Sequence, residues 1–254
     1  ESMLTEINQV ILEFDSAIEY LEKHHNLREY VTTNMINQPA SSYVYNQSLG
    51  VVCIAGPNNY PLSLVMLPLI SAIAMGNTIV IRPAPTSCHT SEVINTFIKK
   101  IFPSNYITVF KGEKSVTQEM LLHRFDLMFF TGSTRLGQIY YEACAKLLTP
   151  VVLELGGCSP CIVLEDAQIT TSVKRISWGA FLNGGQTCVR PNTIFIGKKH
   201  FNEFIQIMKD TINEFYTQGD DTTEYRVIDY QSEAQNIIFS NNHNNTSPFE
   251  SYRK

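Results

Sequence analysis

No block of lysine and arginine, and no stripe interleaving aromatic with basic residues, occurs anywhere in the chain. That excludes the electrostatic footprint of a nucleic-acid binder. The 19 basic and 24 acidic residues are interspersed, for a formal net charge of −5 over 254 residues. Long apolar runs are missing as well. Val51 to Ala55 and Leu64 to Met75, the latter broken by Pro68 and Ser71, fall short of a membrane span, so membrane association is not indicated. No charged n-region leading into an apolar h-region opens the chain, which argues against secretion. The six cysteines, Cys53, Cys88, Cys144, Cys158, Cys161 and Cys188, then read as free thiols of an intracellular, cytoplasmic protein rather than a disulfide framework. Cys158-Ser159-Pro160-Cys161 is a lone C-x-x-C with no second pair and no nearby histidine, so no metal site is expected. The G-x-G-x-x-G fingerprint is absent, and there are no internal repeats. The chain opens on Glu1 rather than methionine, which reads as a fragment or a trimmed form.

What is present is a regular alternation. Leu4, Ile7, Ile11, Phe14, Ile18 and Leu21 recur at three- and four-residue steps, predicting an amphipathic helix over 2–23 that docks on its own domain. Residues 29–50 read as a connecting or bridging excursion with some strand. From Gly50 onward short apolar runs (51–55, 78–82, 106–110, 127–130, 151–155) alternate with helical patterns (62–75, 90–102, 115–122, and a face marked by Leu136, Ile139, Tyr140, Ala143, Cys144 and Leu147). Buried strands separated by helices predict an α/β fold: a parallel, Rossmann-like coenzyme-binding sheet with helices on both faces. Such sheets bind ligands at the carboxyl ends of their strands. Beyond residue 155 further strands (161–164, 193–196) and helices (170–182, 201–216) predict the N-terminal part of a second α/β catalytic domain. The division expected is 1–155 and 156–254, with a polar tail from about residue 240.

Four constellations carry candidate chemistry, the first of them a pair of segments. In Phe181-Leu182-Asn183-Gly184-Gly185-Gln186-Thr187-Cys188-Val189-Arg190-Pro191 a cysteine is offered on a glycine-flanked turn, and Glu154 closes the apolar strand of Leu153-Glu154-Leu155-Gly156-Gly157 upstream. A thiolate to attack a carbonyl carbon and a carboxylate to activate water are the two parts of an acylation site. Gly56-Pro57-Asn58-Asn59-Tyr60-Pro61 follows a strand, where an asparagine amide can donate to an oxyanion. Gly76 to Pro83 puts Arg82 at another strand's end, within reach of a nucleotide's ribose or phosphate. In Phe130-Thr131-Gly132-Ser133-Thr134-Arg135-Leu136-Gly137 a strand runs through a glycine turn into a helix, the start of which favours a pyrophosphate; a simple capped helix fits the same residues.

Together these segments resemble the aldehyde dehydrogenase family, nearest the class 3 and fatty-aldehyde branch, from about Ser2 to Phe239. Leu148 to Gly157 and Asn183 to Val189 carry the likeness most strongly, with Ile176 to Gly179 and Glu214 to Tyr216 beside them. The resemblance implies that Cys188 is the nucleophile, Glu154 the general base, and Asn59 the amide that holds the oxyanion with the Cys188 backbone N–H. It implies NAD or NADP as cofactor, with Gly132, Ser133 and Gly137 at the pyrophosphate turn and Arg82 on the adenosine side. It implies a small-molecule aldehyde as substrate, oxidised to the acid through a thiohemiacetal and a thioester. Against the family pattern Arg82 stands for a lysine, Pro85 for a glutamate, Asn58 for a tryptophan, Glu113 for a glycine and Cys158 for a lysine. The family continues well past Lys254, so the chain reads as C-terminally truncated, lacking the segment through which two copies pair into a homodimer. The alternative is a truncated, non-catalytic relative that at most binds a nucleotide or a partner. A cysteine hydrolase lacks a histidine in any recognisable context.

Overall fold

The structure is a computed structural model describing residues 2–24 and 29–216; the polar tail expected from about residue 240 lies outside the described residues. The chain divides into two compact units, the first ending at Gly156 and the second starting at Gly157. In the first, a π-helical turn, Met3–Ile7, leads into α1 (Asn8–His24), followed by β1 (Glu29–Val31) and β2 (Ser42–Val44). Then come β3 (Val51–Ala55), α2 (Ser63–Ala74), β4 (Thr78–Arg82), α3 (Cys88–Ile101), β5 (Ile107–Val109), α4 (Lys114–Met120), β6 (Leu127–Gly132), α5 (Thr134–Lys146) and β7 (Val151–Leu155). The second unit holds β8 (Pro160–Val163), α6 (Ile169–Phe181), β9 (Thr193–Ile196) and α7 (Phe201–Tyr216).

The parallel α/β sheet is as expected. Five strands run in the order β5-β4-β3-β6-β7, all neighbours parallel. Side chains alternate across each strand, so one strand feeds two cores. Val52, Ile54, Ile79, Ile81 and Ile107 pack against Val65 and Leu69 of α2 and Ile94 and Ile98 of α3. On the opposite face Cys53, Ala55, Met128 and Phe130 meet Met120 of α4 and Tyr140 and Cys144 of α5. Near-continuous burial of both faces is why the inner strands read as unbroken apolar runs.

The N-terminal helix docks, but by a different face. Ile11, Phe14 and Ile18 of the apolar stripe are 52%, 53% and 45% exposed, and α1 has no fully buried residue. The partly covered positions are Val10, Glu13, Ala17 and Leu21, of which only Leu21 belongs to the stripe. The reason is polar: the carboxylate of Glu6 accepts from the N–H groups of Leu62 and Ser63 at 2.7 and 3.2 Å, capping the start of α2 and setting the rotation of the helix. The excursion over 29–50 contains a short antiparallel pair, β1 with β2, in register Tyr30↔Tyr43.

In the second unit β8 and β9 pair in parallel, connected through α6. Val163 and Ile194 pack with Val173 and Ile176 of α6 and Phe204 and Met208 of α7.

Candidate active site

The strand order places a switch point in the first unit. From β3 the chain lays β4 and β5 to one side, then returns to lay β6 and β7 on the other. The crevice at such a point, beyond the carboxyl ends of the strands, is where open α/β sheets take ligands. Two of the segments singled out by sequence flank it: β3 runs into Gly56 to Asn59, and β6 into Gly132 and Ser133.

Gly56 donates its N–H to the Arg82 carbonyl at 2.9 Å, which keeps the chain parallel to β4 for one residue past β3. A Cβ on Gly56 would lie 2.2 Å from Cγ2 of Val65, so only glycine lets α2 close down this tightly behind the loop. Asn59 is half-buried between exposed Asn58 and buried Tyr60. The loop is fixed at both ends, by the sheet and by the Glu6-capped start of α2.

Ser133 is the N-cap of α5, its hydroxyl accepting from the Leu136 N–H at 3.4 Å. The capped-helix expectation therefore holds, and it does not compete with anion binding. The remaining first-turn amides of α5, at the switch point, are the donor set a pyrophosphate takes, and they fit a dinucleotide cofactor there. Gly137 is buried one turn in; a Cβ there would meet Cδ2 of Leu155 at 2.7 Å, so its bareness lets α5 lie against β7.

Arg82 ends β4 and is 2% exposed. Its Nε donates to Thr117 Oγ1 at 2.9 Å, Nη1 to the Phe110 carbonyl at 3.1 Å, and Nη2 to the carbonyls of Gly112 and Glu113 at 2.7 and 3.0 Å. Burial pulls the guanidinium's pKa below its ordinary value, while Tyr140, Glu113 and Cys53 act to raise it. As placed, the cation expected on the adenosine side braces the turn after β5 with four hydrogen bonds to its own chain.

Glu154 is exposed, next to last in the edge strand β7 and in register with Thr131 of β6. Since the strands are parallel, Asn59, Arg82, Gly132, Ser133 and Glu154 gather along one carboxyl edge. At the strand spacing of roughly 4.8 Å, β3 and β7 are on the order of 10 Å apart.

Cys188 belongs to the second unit. After α6 the backbone turns through Asn183, Gly184 and Gly185, with φ of 56°, 62° and 74°, a left-handed run in which glycine carries no Cβ penalty. A turn closed by the Arg190 N–H on the Thr187 carbonyl, at 3.2 Å, then presents an exposed Cys188. Ser159 Oγ donates to the Cys188 carbonyl at 3.1 Å, and the Asn192 N–H to the Ser159 carbonyl at 3.2 Å, so the cysteine turn is tied to the entrance of β8. Among the described residues, no group of three or more His, Cys, Asp or Glu stands together as a metal would need, and no helix is long and apolar enough to cross a membrane.

Two contributors escaped the sequence reading. Glu6 lies far upstream of the helix it caps, with no local pattern to betray it. Thr117 sits inside α4, and only the turn after β5 brings it to Arg82. The signal for the second was Arg82 itself, since a charged group ending a buried strand needs partners.

The family model for the aldehyde dehydrogenase family matches residues 1–235, and the chain belongs to that family. It is 36% identical over 225 residues to a Rattus norvegicus aldehyde dehydrogenase described as dimeric and NADP-preferring, over 89% of this chain and 49% of that protein. It is 39% identical over 219 residues to the 4,4'-diaponeurosporen-aldehyde dehydrogenase of Staphylococcus aureus, over 86% and 48%. Among solved structures, a substrate-bound Staphylococcus aureus AldH superposes with a TM-score of 0.82 at 38% identity, over 86% of this chain and 47% of that one. An NAD+ complex of a Bacillus cereus aldehyde dehydrogenase gives 0.72 at 25% identity, over 84% and 43%. The chain spans about half the length of the curated relatives it matches. Members of the family use NAD or NADP to oxidise aldehydes.

Proposed function

We propose that this chain carries the cofactor crevice and the reacting side chains of an NAD(P)+-dependent aldehyde oxidation. The observation that carries the reading is the carboxyl edge of the sheet, where Asn59, the α5 start at Ser133 and Glu154 stand together in a member of this family. The Cys188 thiolate adds to the aldehyde carbon and gives a tetrahedral oxyanion. The Asn59 amide and the Cys188 N–H donate to that oxygen, where charge develops. A nicotinamide cofactor, when bound, would supply the hydride acceptor this oxidation needs. Glu154, exposed to water at the end of its strand, takes a proton from the water that attacks the thioester carbonyl, releasing the acid and restoring the thiol. The first-turn amides of α5 would hold the cofactor's pyrophosphate, and Gly137 keeps that helix seated on β7.

The substrate is a small-molecule aldehyde. A second reading, in which the chain binds a nucleotide or a protein partner without turnover, draws on the exposed Ile162, Leu164 and Val189 of the second unit, at 70%, 64% and 77%. The test is to incubate the protein with a medium-chain or aromatic aldehyde and either cofactor and follow reduced-cofactor absorbance, with nucleotide binding measured in parallel. Turnover that is lost in Cys188→Ser supports the enzyme. Nucleotide binding without turnover from either cofactor, beside an active relative, refutes it in favour of the second reading.

A further inference from the structure

The second unit brings two exposed thiols to one place. Cys188 is held by its own carbonyl to the hydroxyl of Ser159, at 3.1 Å, and Cys158 is the residue before that serine. Standard backbone dimensions then put the two Cα atoms within about 12 Å of each other. A disulfide needs them at roughly 4.4–6.8 Å, a closure of several ångströms. The local chain has room for it. Cys158 follows Gly156 and Gly157, where an added Cβ would meet nothing within 4 Å, and Ser159 itself sits at φ 35° before β8 begins. Cys188 rides a turn whose own approach runs through Gly184 and Gly185.

Of the other four thiols, Cys88 is exposed but lies in the first unit, and the remaining three are wholly or partly covered. Cys161, the second member of the C-x-x-C, is inside β8 and packs against the core of its unit, and burial pushes its thiol up. Cys53 and Cys144 are buried in the first unit with their thiols pushed up for the same reason.

We infer that Cys158 is a resolving cysteine for Cys188, and that hydroperoxides convert the pair to a reversible disulfide that switches the site off. The Cys188 thiolate attacks one peroxide oxygen; the S–O bond forms, the O–O bond breaks, and hydroxide leaves to become water. The resulting sulfenic acid is attacked at sulfur by the Cys158 thiolate; the S–S bond forms, the S–O bond breaks, and the second hydroxide leaves as water. Two thiols have then lost two electrons and two protons, and hydrogen peroxide has become two waters. A dithiol reverses the step by exchange. The consequence for turnover rests on Cys188 being the nucleophile proposed above; the bond itself does not.

The full chain is treated with hydrogen peroxide, alkylated, digested with trypsin and mapped by tandem mass spectrometry. Cys158 and Cys161 lie in the peptide 147–174 and Cys188 in 176–198, so a link between the two peptides is directly visible, and fragmentation at Pro160 tells Cys158 from Cys161. Expected is a 158–188 link, at least a tenfold loss of Cys188 alkylation, and its recovery with dithiothreitol. In Cys158→Ser the same dose should drive Cys188 to sulfinic and sulfonic acids that dithiothreitol does not reverse. Absence of the link once Cys188 has reacted, a 158–161 link instead, or full reversibility in Cys158→Ser overturns the inference. A link that forms and reverses in a protein that never turns over aldehyde leaves this inference standing and removes the proposed function.

Discussion

Replacing Arg82 with methionine tests whether that cation is a strut or a cofactor ligand. The substitution keeps much of the apolar stem and removes four donated hydrogen bonds, to Thr117 Oγ1 and to the carbonyls of Phe110, Gly112 and Glu113. Hydrogen bonds from a charged group contribute about 1.5–3 kcal/mol each. Two offsets reduce the total: the buried guanidinium no longer has to be desolvated, and the carbonyls of exposed Gly112 and Glu113 regain water. A net loss of about 3 kcal/mol remains, confined to the first unit. Native-state hydrogen exchange of the amides in β4 and β5, and of the Phe110 N–H on the Ile81 carbonyl just after β5, reads that unit directly. Protection there should fall by roughly 100-fold or more, since each 1.4 kcal/mol is a factor of ten. Arg82→Lys should lie between, because one ammonium cannot span the fork's acceptors. Unchanged protection with a tenfold or greater loss of nucleotide affinity would refute the strut and return Arg82 to the adenosine side.

Three further outcomes follow from the geometry. Gly56→Ala drives a methyl into Val65, itself 0% exposed, and should destabilise the protein by about 1–3 kcal/mol, read as a lower denaturation midpoint; an unchanged midpoint would show that α2 moves freely there. Asn59→Ala should cut turnover of an active form by about 100- to 1000-fold with little change in stability, the usual cost of one oxyanion donor; full activity would remove Asn59 from the site. Burial, with Cys53 adding to it, pushes the Tyr140 hydroxyl from its ordinary 10 up to about 12. The unfolded chain therefore releases this proton first, and the stability present below pH 10 should be lost as pH rises to about 12, by at most about 3 kcal/mol. Tyr140→Phe should flatten that slope in alkaline denaturation series, and an identical slope would show the group does not govern it.

The inner strands were readable from sequence because burial on both faces leaves a short apolar run bounded by turn residues. β3 and β4 fall where the runs 51–55 and 78–82 do, and the edge strand β7 and the second unit's β9 match 151–155 and 193–196. The carboxyl-edge clustering followed from the parallel order, since Asn59, Ser133 and Glu154 each come at or just after a strand's end. What sequence could not carry were contacts made at a distance. The rotation of α1 depends on Glu6 reaching Leu62, so the apolar stripe, a local pattern, pointed to the wrong face. Arg82 follows the same logic: its position predicts a cation at the edge, but only the turn over 110–113 decides which oxygens it serves.

The Glu6 carboxylate makes the segment ahead of α1 a neighbour of the loop that bears Asn59, because both meet at the first residues of α2. A side chain more than fifty positions away in sequence thereby helps to fix the backbone beside a proposed reacting group. Glu6→Gln would keep an acceptor there while removing its charge, and Glu6→Ala would leave two main-chain donors without one.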